Sequence, residues 1–294
     1  MDYSIIKTSS ELDALVSKWT KENINSVAMD FEEESNLHCY GEHVCIIQLF
    51  DKNNYYIIDC LKIIKTKEGL ESLKAFLEGS IEKIMFSCQS DASLARKSLK
   101  IQLKNIYDIR VLALALDFTG NLTSLEEKYL GQNLDSNTST ASKKRFQTAN
   151  WMRRPIPEDQ IQYALGDVQH LFELKDILEQ EVQKLPKLKK REIQNTLKTC
   201  AEQKHPERPG WEKICNYKML SKQEKVLIKY FFLARDGVAK AHNVPASQVL
   251  LKQKIVAMAK EGTWESEISC CNPEYRKELE VAMQQALEKA SKLY

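Results

Sequence analysis

No apolar run in the chain approaches the roughly 18 consecutive residues that a membrane-spanning helix needs. The opening residues, MDYSIIKTSSELDALV, lack a basic stretch followed by an apolar core, so no secretory signal is read there. No C-x-x-C pair occurs among the eight cysteines at 39, 45, 60, 88, 200, 215, 270 and 271. In a chain that stays in the cytoplasm, as these absences lead us to expect, such thiols are reduced and mostly structural. His38, Cys39, His43 and Cys45 are zinc-ligand types, but their spacing matches no zinc pattern and Cys45 opens an apolar run. A charge excess is lacking too. Forty-three basic residues face 41 acidic ones, a net charge of +2, so global charge selects no partner.

The length of 294 residues suggests two domains, and a 43% hydrophobic content is enough for a real core. The spacing of Leu12, Leu15, Val16 and Trp19 predicts a helix over 9–21, with Ser9 or Ser10 as its cap. A strand is predicted at Val27–Glu32, and another at 44–50 (VCIIQLF). Asp51-Lys52-Asn53-Asn54 then reads as a hairpin turn into a strand at 55–59. Helix and strand alternate afterwards: helix 70–77, strand 83–86, helix 91–99, strand 106–107 and helix 109–116. Another helix follows over 121–130, capped by Thr123 or Ser124. This order indicates an α/β fold with a mixed sheet flanked by helices. Residues 131–150 read as a surface loop, and Pro155 and Pro157 bracket the start of one long helix over 158–184. We place the first domain at 1–204, a linker at 205–220 containing HPERPGW, and an all-helical domain at 221–294. That domain's helices are predicted at 221–242, 247–260 (capped by Ser247) and 272–293.

The chemistry starts at Asp30 and Glu32. Two apart on a strand, they share one face, while Val27, Met29 and Phe31 point to the other. Adjacent carboxylates on an apolar strand are unfavourable unless a cation lies between them. A solvated edge strand would also accommodate them. Tyr163 and Asp167, four apart, share one helical face, and Asp91 lies where a helix begins beyond strand 83–86. Taken singly, Asp91 suits a helix start and Asp167 a surface acid. Together, four carboxylates can hold two divalent ions, and oxygen-only ligation suits Mg²⁺ or Mn²⁺. From Val182 to Lys222 there are eleven Lys/Arg against four Glu, a local excess that suits either a phosphate backbone or a solvated helix face.

These motifs resemble the DEDDy branch of the 3′–5′ exonucleases, and within it the ribonuclease D group with its exosome-associated relatives. The resemblance rests on Asp30-Phe31-Glu32 with Ile46-Ile47-Gln48-Leu49, on Asp91 with Asn105-Ile106-Tyr107-Asp108, and on Tyr163-Ala164-Leu165-Gly166-Asp167-Val168 preceded by Trp151-Met152-Arg153-Arg154-Pro155. Phe231-Phe232-Leu233-Ala234-Arg235 and Asn243-Val244-Pro245 are similar to an HRDC domain, a helical nucleic-acid-binding module. The resemblance implies an RNase H-like fold. Asp30, Glu32 and Asp167 would bind one ion, Asp30 would bridge to a second near Asp91, and Tyr163 would position the attacking water. It also implies RNA as partner and nucleoside 5′-monophosphates as product, with tRNA or other structured-RNA 3′ maturation as the setting. Two positions depart from the common pattern. Phe86 stands where many relatives carry His, which implies altered packing or substrate contact, and Ile109 stands where Thr is common. Asp108 reads as structural, His170 as a helix-surface or packing residue, and Glu158 and Asp159 as first-turn acids. A DNA exonuclease of the same superfamily and a non-catalytic nucleic-acid-binding module are the competing readings.

Overall fold

The computed structural model describes residues 1–131, 145–203 and 206–293. Its elements begin with β1 (Tyr3–Ile6), a four-residue strand too short to be read from the sequence, and α1 (Ser9–Lys21). Thr8, rather than Ser9 or Ser10, caps α1. Its hydroxyl accepts from the Glu11 amide while the Glu11 carboxylate accepts from the Thr8 amide, a reciprocal capping box. Next come β2 (Ser26–Ser35), β3 (Glu42–Phe50) and β4 (Tyr55–Asp59). The β3–β4 turn is held by the Asp51 carboxylate, which accepts from the amides of Asn53 and Asn54, from Trp19 Nε1 and from the Tyr56 hydroxyl.

The alternating part contains α2 (Cys60–Ile63), α3 (Lys67–Leu77), β5 (Glu82–Met85), α4 (Gln89–Leu94), a π-helical turn at Ala95–Leu99, β6 (Ile106–Asp108), α5 (Ile109–Ala115) and α6 (Leu122–Leu130). Asn121 caps α6, not Thr123 or Ser124. The sheet runs β1-β4-β3-β2-β5-β6. β1 is parallel to β4, β4 antiparallel to β3, β2 parallel to β5, and β5 parallel to β6. The mixed sheet flanked by helices is therefore as the sequence order indicated.

The sheet has a core on each face. Val27, Met29, Phe31, Ile47 and Leu49 pack with Leu12, Trp19, Leu73 and Leu94 on one side. Ala28 and Ile84 meet Leu112, Val168 and Leu174 on the other, where Ile46 and Ile57 also meet Trp151, Ile161 and Leu165. The predicted helix over 158–184 is two helices, α7 (Glu158–Gln169) and α8 (Leu171–Gln183). They are broken at His170, whose φ of −105° and ψ of 4° leave the helical region. A further helix, α9 (Lys187–Thr199), carries much of the basic segment and buries only Ile193.

The chain folds as two compact units, Met1–Glu34 with Glu42–Gln203 and Ser35–Gly41 with Lys204–Tyr294. The second unit contains α10 (Lys222–Ala241), α11 (Ala246–Val249), α12 (Lys252–Glu261) and α13 (Arg276–Ser291). The helix predicted at 247–260 is split by Leu250 in extended conformation, and Ser247 lies inside α11 rather than capping it. The stretch read as linker is folded. Residues 210–212 and 217–219 are short 3₁₀ turns, and Trp211, Ile214, Cys215, Tyr217 and Leu220 pack against the helical core.

Candidate active site

Strand alternation puts Asp30 and Glu32 on the opposite face from Met29 and Phe31, which are buried in the first core. α7 lies across that face. Its Ile161, Ala164 and Leu165 are buried against the sheet, which leaves Tyr163 and Asp167 on the adjoining flank. Asp30, Glu32 and Asp167 each bring a carboxylate oxygen within 4.8 Å of the others, the one group of three or more potential metal ligands that close together among the described residues. His38, Cys39, His43 and Cys45 form no such group.

Electrostatics make this cluster costly by itself. Burial, then the charges of Asp91, Asp167 and Glu32, push the Asp30 carboxyl well above its usual range. Burial and the charges of Asp167, Asp91 and Glu33 do the same to Glu32. Asp91 lies outside the 4.8 Å group but is pushed up to about 7, by burial and then by Glu33. The donor set is all oxygen, crowded and anionic, and so fits a hard divalent cation.

Asp91 is placed by a strained turn. Ser87, between β5 and α4, has a φ of 67°, a left-handed value that a non-glycine residue adopts only when held there. Asp108 holds it: one carboxylate oxygen accepts from the Ser87 amide at 2.8 Å and from the Arg110 amide at 3.0 Å, the other from the Cys88 amide at 3.1 Å. The structural reading of Asp108 thus acquires a definite role, because it fixes the turn into Asp91 and caps α5.

The Tyr163 ring stacks on Phe146 with centroids 4.9 Å apart and planes 25° from parallel. Burial, then Asp167, Glu32 and Asp30, drive the phenol pKa upward, so the hydroxyl keeps its proton. Arg154 anchors the segment before α7. Its guanidinium forms a bidentate pair with Asp59 at 2.8 and 2.9 Å and donates to the carbonyls of Cys45 and Trp151. Phe86, at the departing position, lies under the Arg110 guanidinium at 5.4 Å, a packing role. His170 breaks the helix and pairs with Glu173 at 3.8 Å. Glu158 accepts from Tyr3, and Asp159 pairs with Arg145. Most of the expected loop at 131–150 lies outside the described residues, including Lys143 and Lys144.

A family model described as 3′–5′ exonuclease matches residues 3–183. The chain belongs to this 3′–5′ exonuclease family. Among curated relatives, ribonuclease D of Nitrobacter hamburgensis is 24% identical over 84% of this chain and 62% of its own length. Exosome complex component 10 of Homo sapiens is 26% identical over 90% of this chain and 30% of its own. The chain thus spans less than two thirds of these proteins. Among solved structures, Escherichia coli RNase D superposes with a TM-score of 0.74 at 22% identity, covering 100% of this chain and 76% of that one. The catalytic core of RRP6 from Trypanosoma brucei gives 0.74 at 20%, covering 99% and 80%.

For this exonuclease-family chain, two residues at the site have a role that the sequence did not assign, although Gln48 lies within the Ile46-Ile47-Gln48-Leu49 motif. Gln48, wholly buried on β3, donates from Nε2 to Asp30 Oδ2 at 2.9 Å, while its Oε1 is buried without a partner. Phe146 is the other, and no local pattern announces that it stacks on Tyr163.

The raised carboxyls predict an inverted pH response. Asp91 titrates near 7 in the folded chain and near 3.8 when unfolded. Above 7 it is charged in both states and the repulsion is fully felt. As the pH falls through 7 the folded state takes up a proton that the unfolded chain does not, so stability rises until about 4. Lys83, buried and lowered to about 8, changes charge only above this window. Metal-free protein should therefore melt at a higher temperature at pH 5.5 than at pH 7, below the Lys83 transition, and Asp91→Asn should flatten the difference. A melting temperature that falls on acidification over that range would contradict the assignment.

Proposed function

We propose that this chain is a metal-dependent 3′–5′ exoribonuclease that releases nucleoside 5′-monophosphates from RNA 3′ ends, with tRNA or other structured-RNA maturation as its setting. The observation that carries the reading is the convergence of Asp30, Glu32 and Asp167 within 4.8 Å beside a protonated Tyr163, on the fold shared with RNase D. Asp30, Glu32 and Asp167 would hold one divalent ion, Mg²⁺ or Mn²⁺. Asp30 would also face a second, held with the help of Asp91. Such a pair supplies charge stabilisation for both the attacking and the leaving oxygen of a phosphodiester.

The chain's own groups supply the rest. Tyr163 offers a neutral hydroxyl that can orient a water for in-line attack, and its retained proton argues against a role as base. Phe146 fixes the ring's plane. Gln48 Nε2 holds Asp30 Oδ2 and would orient that carboxylate for an ion. The helical second unit is assigned the nucleic-acid-binding role of an HRDC-like module.

Matched RNA and DNA oligomers, each with a free or a blocked 3′ end, test this directly. We expect stepwise release of 5′-mononucleotides from free-ended RNA, dependent on Mg²⁺ or Mn²⁺ and stopped by the 3′ block. Equal or faster digestion of DNA would favour a DNA exonuclease. Binding without cleavage of either would favour a non-catalytic module.

A further inference from the structure

The second unit carries an apolar groove that the proposed chemistry does not use. It lies between α10 and α13 and has a volume of about 550 Å³. His242, just past the end of α10, meets Glu278, in the first turn of α13, at 2.6 Å, so the two helices run antiparallel. Leu233 and Val281 stand on the two walls, 43% and 59% exposed. Single exposed apolar residues are ordinary, but these two share one concave surface with Ala234, Ala282 and Ala286. Gly237 lies in the α10 wall, inside the helix, where glycine is weaker than alanine. Its backbone is not left-handed, and a Cβ there would meet no neighbouring atom within 4 Å. Nothing in this chain therefore requires glycine at that point, whereas the close approach of another backbone would.

The α13 wall indicates what approaches. Glu278, Val281, Ala282, Gln285, Ala286 and Lys289 follow one another at steps of three and four along the face that lines the groove, with Gln285 exposed at its middle. Turned end for end, this face matches itself. Glu278 falls opposite Lys289, Val281 opposite Ala286, and Ala282 opposite Gln285. The two ends, about 16 Å apart along the helix, carry opposite charges, and each larger side chain meets a small one. His242 takes Glu278 Oε2, which leaves Oε1 for a lysine. A second α13 running antiparallel to the first thus finds an ion pair at each end and steric fit between them. That match of the face to itself selects a second copy of this chain over a helix of another protein.

We propose that the groove is the contact of a symmetric dimer, in which α13 of each copy is seated between α10 and α13 of the other. A two-fold axis through the middle of the paired α13 helices makes the interface isologous, so every pairing occurs twice. Apolar burial around Leu233 and Val281 supplies the attraction, and the Glu278–Lys289 pairs at the rim set the direction. The proposal is independent of the exonuclease reading.

The test is sedimentation velocity on the full chain from low to high micromolar concentration, in reducing buffer so that the exposed Cys270 forms no intermolecular disulfide. The wild type should pass from monomer to dimer across that range, and Val281→Arg should abolish the dimer. Gly237→Leu should weaken dimerisation about ten-fold or more. At a concentration where both proteins are monomeric it should melt no lower than the wild type, because its side chain enters open space. Glu278→Lys and Lys289→Glu each turn two ion pairs into two like-charge pairs, and each should weaken dimerisation about ten-fold. Both changes in one chain, or an equimolar mixture of the two single variants, should restore it, a rescue that mere damage to the fold would not show. A wild type that stays monomeric would overturn the proposal and leave the groove to a helix of another protein. A dimer that Val281→Arg and Gly237→Leu leave intact would overturn it as well. So would charge variants that neither the double change nor the mixture restores.

Discussion

Asp167→Asn should lower mononucleotide release by a factor of about 10³ or more while raising the melting temperature of the metal-free protein. Both effects follow from one geometry. Asp167 contributes an oxygen to a group of three carboxylates within 4.8 Å. Two unit charges at that separation repel by about 3–4 kcal/mol at an effective dielectric of about 20. Asparagine keeps the shape and one oxygen but removes the charge, so Asp30 and Glu32 lose a repulsive neighbour. A gain of even 1 kcal/mol raises the melting temperature of a domain this size by about 2–4 °C. The same change removes an anionic ligand, and with it the charge stabilisation proposed for the reaction. Asp30→Asn should behave alike and cost more activity than Glu32→Gln, because Asp30 is assigned to both ions. The opposite stability result, a lower metal-free melting temperature in Asp167→Asn and Asp30→Asn, would show that the acids are compensated by something other than a cation.

Such opposed signs separate a functional cluster from a structural one, and that distinction was partly visible in the chain. The strand carrying Asp30 and Glu32 was legible because acids two apart, alternating with buried apolar residues, match the two-residue period of a strand and not the 3.6-residue period of a helix. The register of Tyr163 with Asp167 was legible because four residues close one helical turn. The break at His170 was not, because Gln169-His170-Leu171 contains neither proline nor glycine and the apolar period continues through Leu171 and Leu174. α9 was hidden by its composition, since its many lysines and arginines around a single buried isoleucine read as a charged surface segment. The folded stretch at 210–220 was hidden by Pro206, Pro209 and Gly210, which read as linker but here bring Trp211 against Phe232. Caps shifted by one to three residues for a simpler reason: Thr8 and Asn121 compete with equally suitable serines and threonines beside them.

Gln48 shows what pattern reasoning does not reach. Inside the run VCIIQLF it belongs to the Ile46-Ile47-Gln48-Leu49 motif that carries the resemblance, but the motif by itself gives it no role. Structurally it is the neutral donor to the most crowded acid of the site. Its Nε2 faces Asp30 because the reverse orientation would set a carbonyl oxygen against a carboxylate oxygen. The cost is a buried Oε1 with no partner, of the order of 1–3 kcal/mol. Gln48→Leu removes both the useful donor and the unpaired acceptor at similar volume, so the metal-free fold should be as stable as wild type or slightly more so. Asp30 then loses the bond that orients it, and losing a hydrogen-bond partner of a metal ligand typically lowers metal affinity or activity by about 10–100-fold. Mn²⁺ binding measured by calorimetry should weaken within that range in Gln48→Leu, and raising the metal concentration should recover part of the turnover. Gln48→Glu should weaken Mn²⁺ binding less while lowering metal-free stability, because it adds a fourth carboxylate to the cluster. If Gln48→Leu melts well below wild type and binds Mn²⁺ normally, the residue serves only to pack the sheet. If it melts like wild type and binds Mn²⁺ weakly, the amide is there to position Asp30.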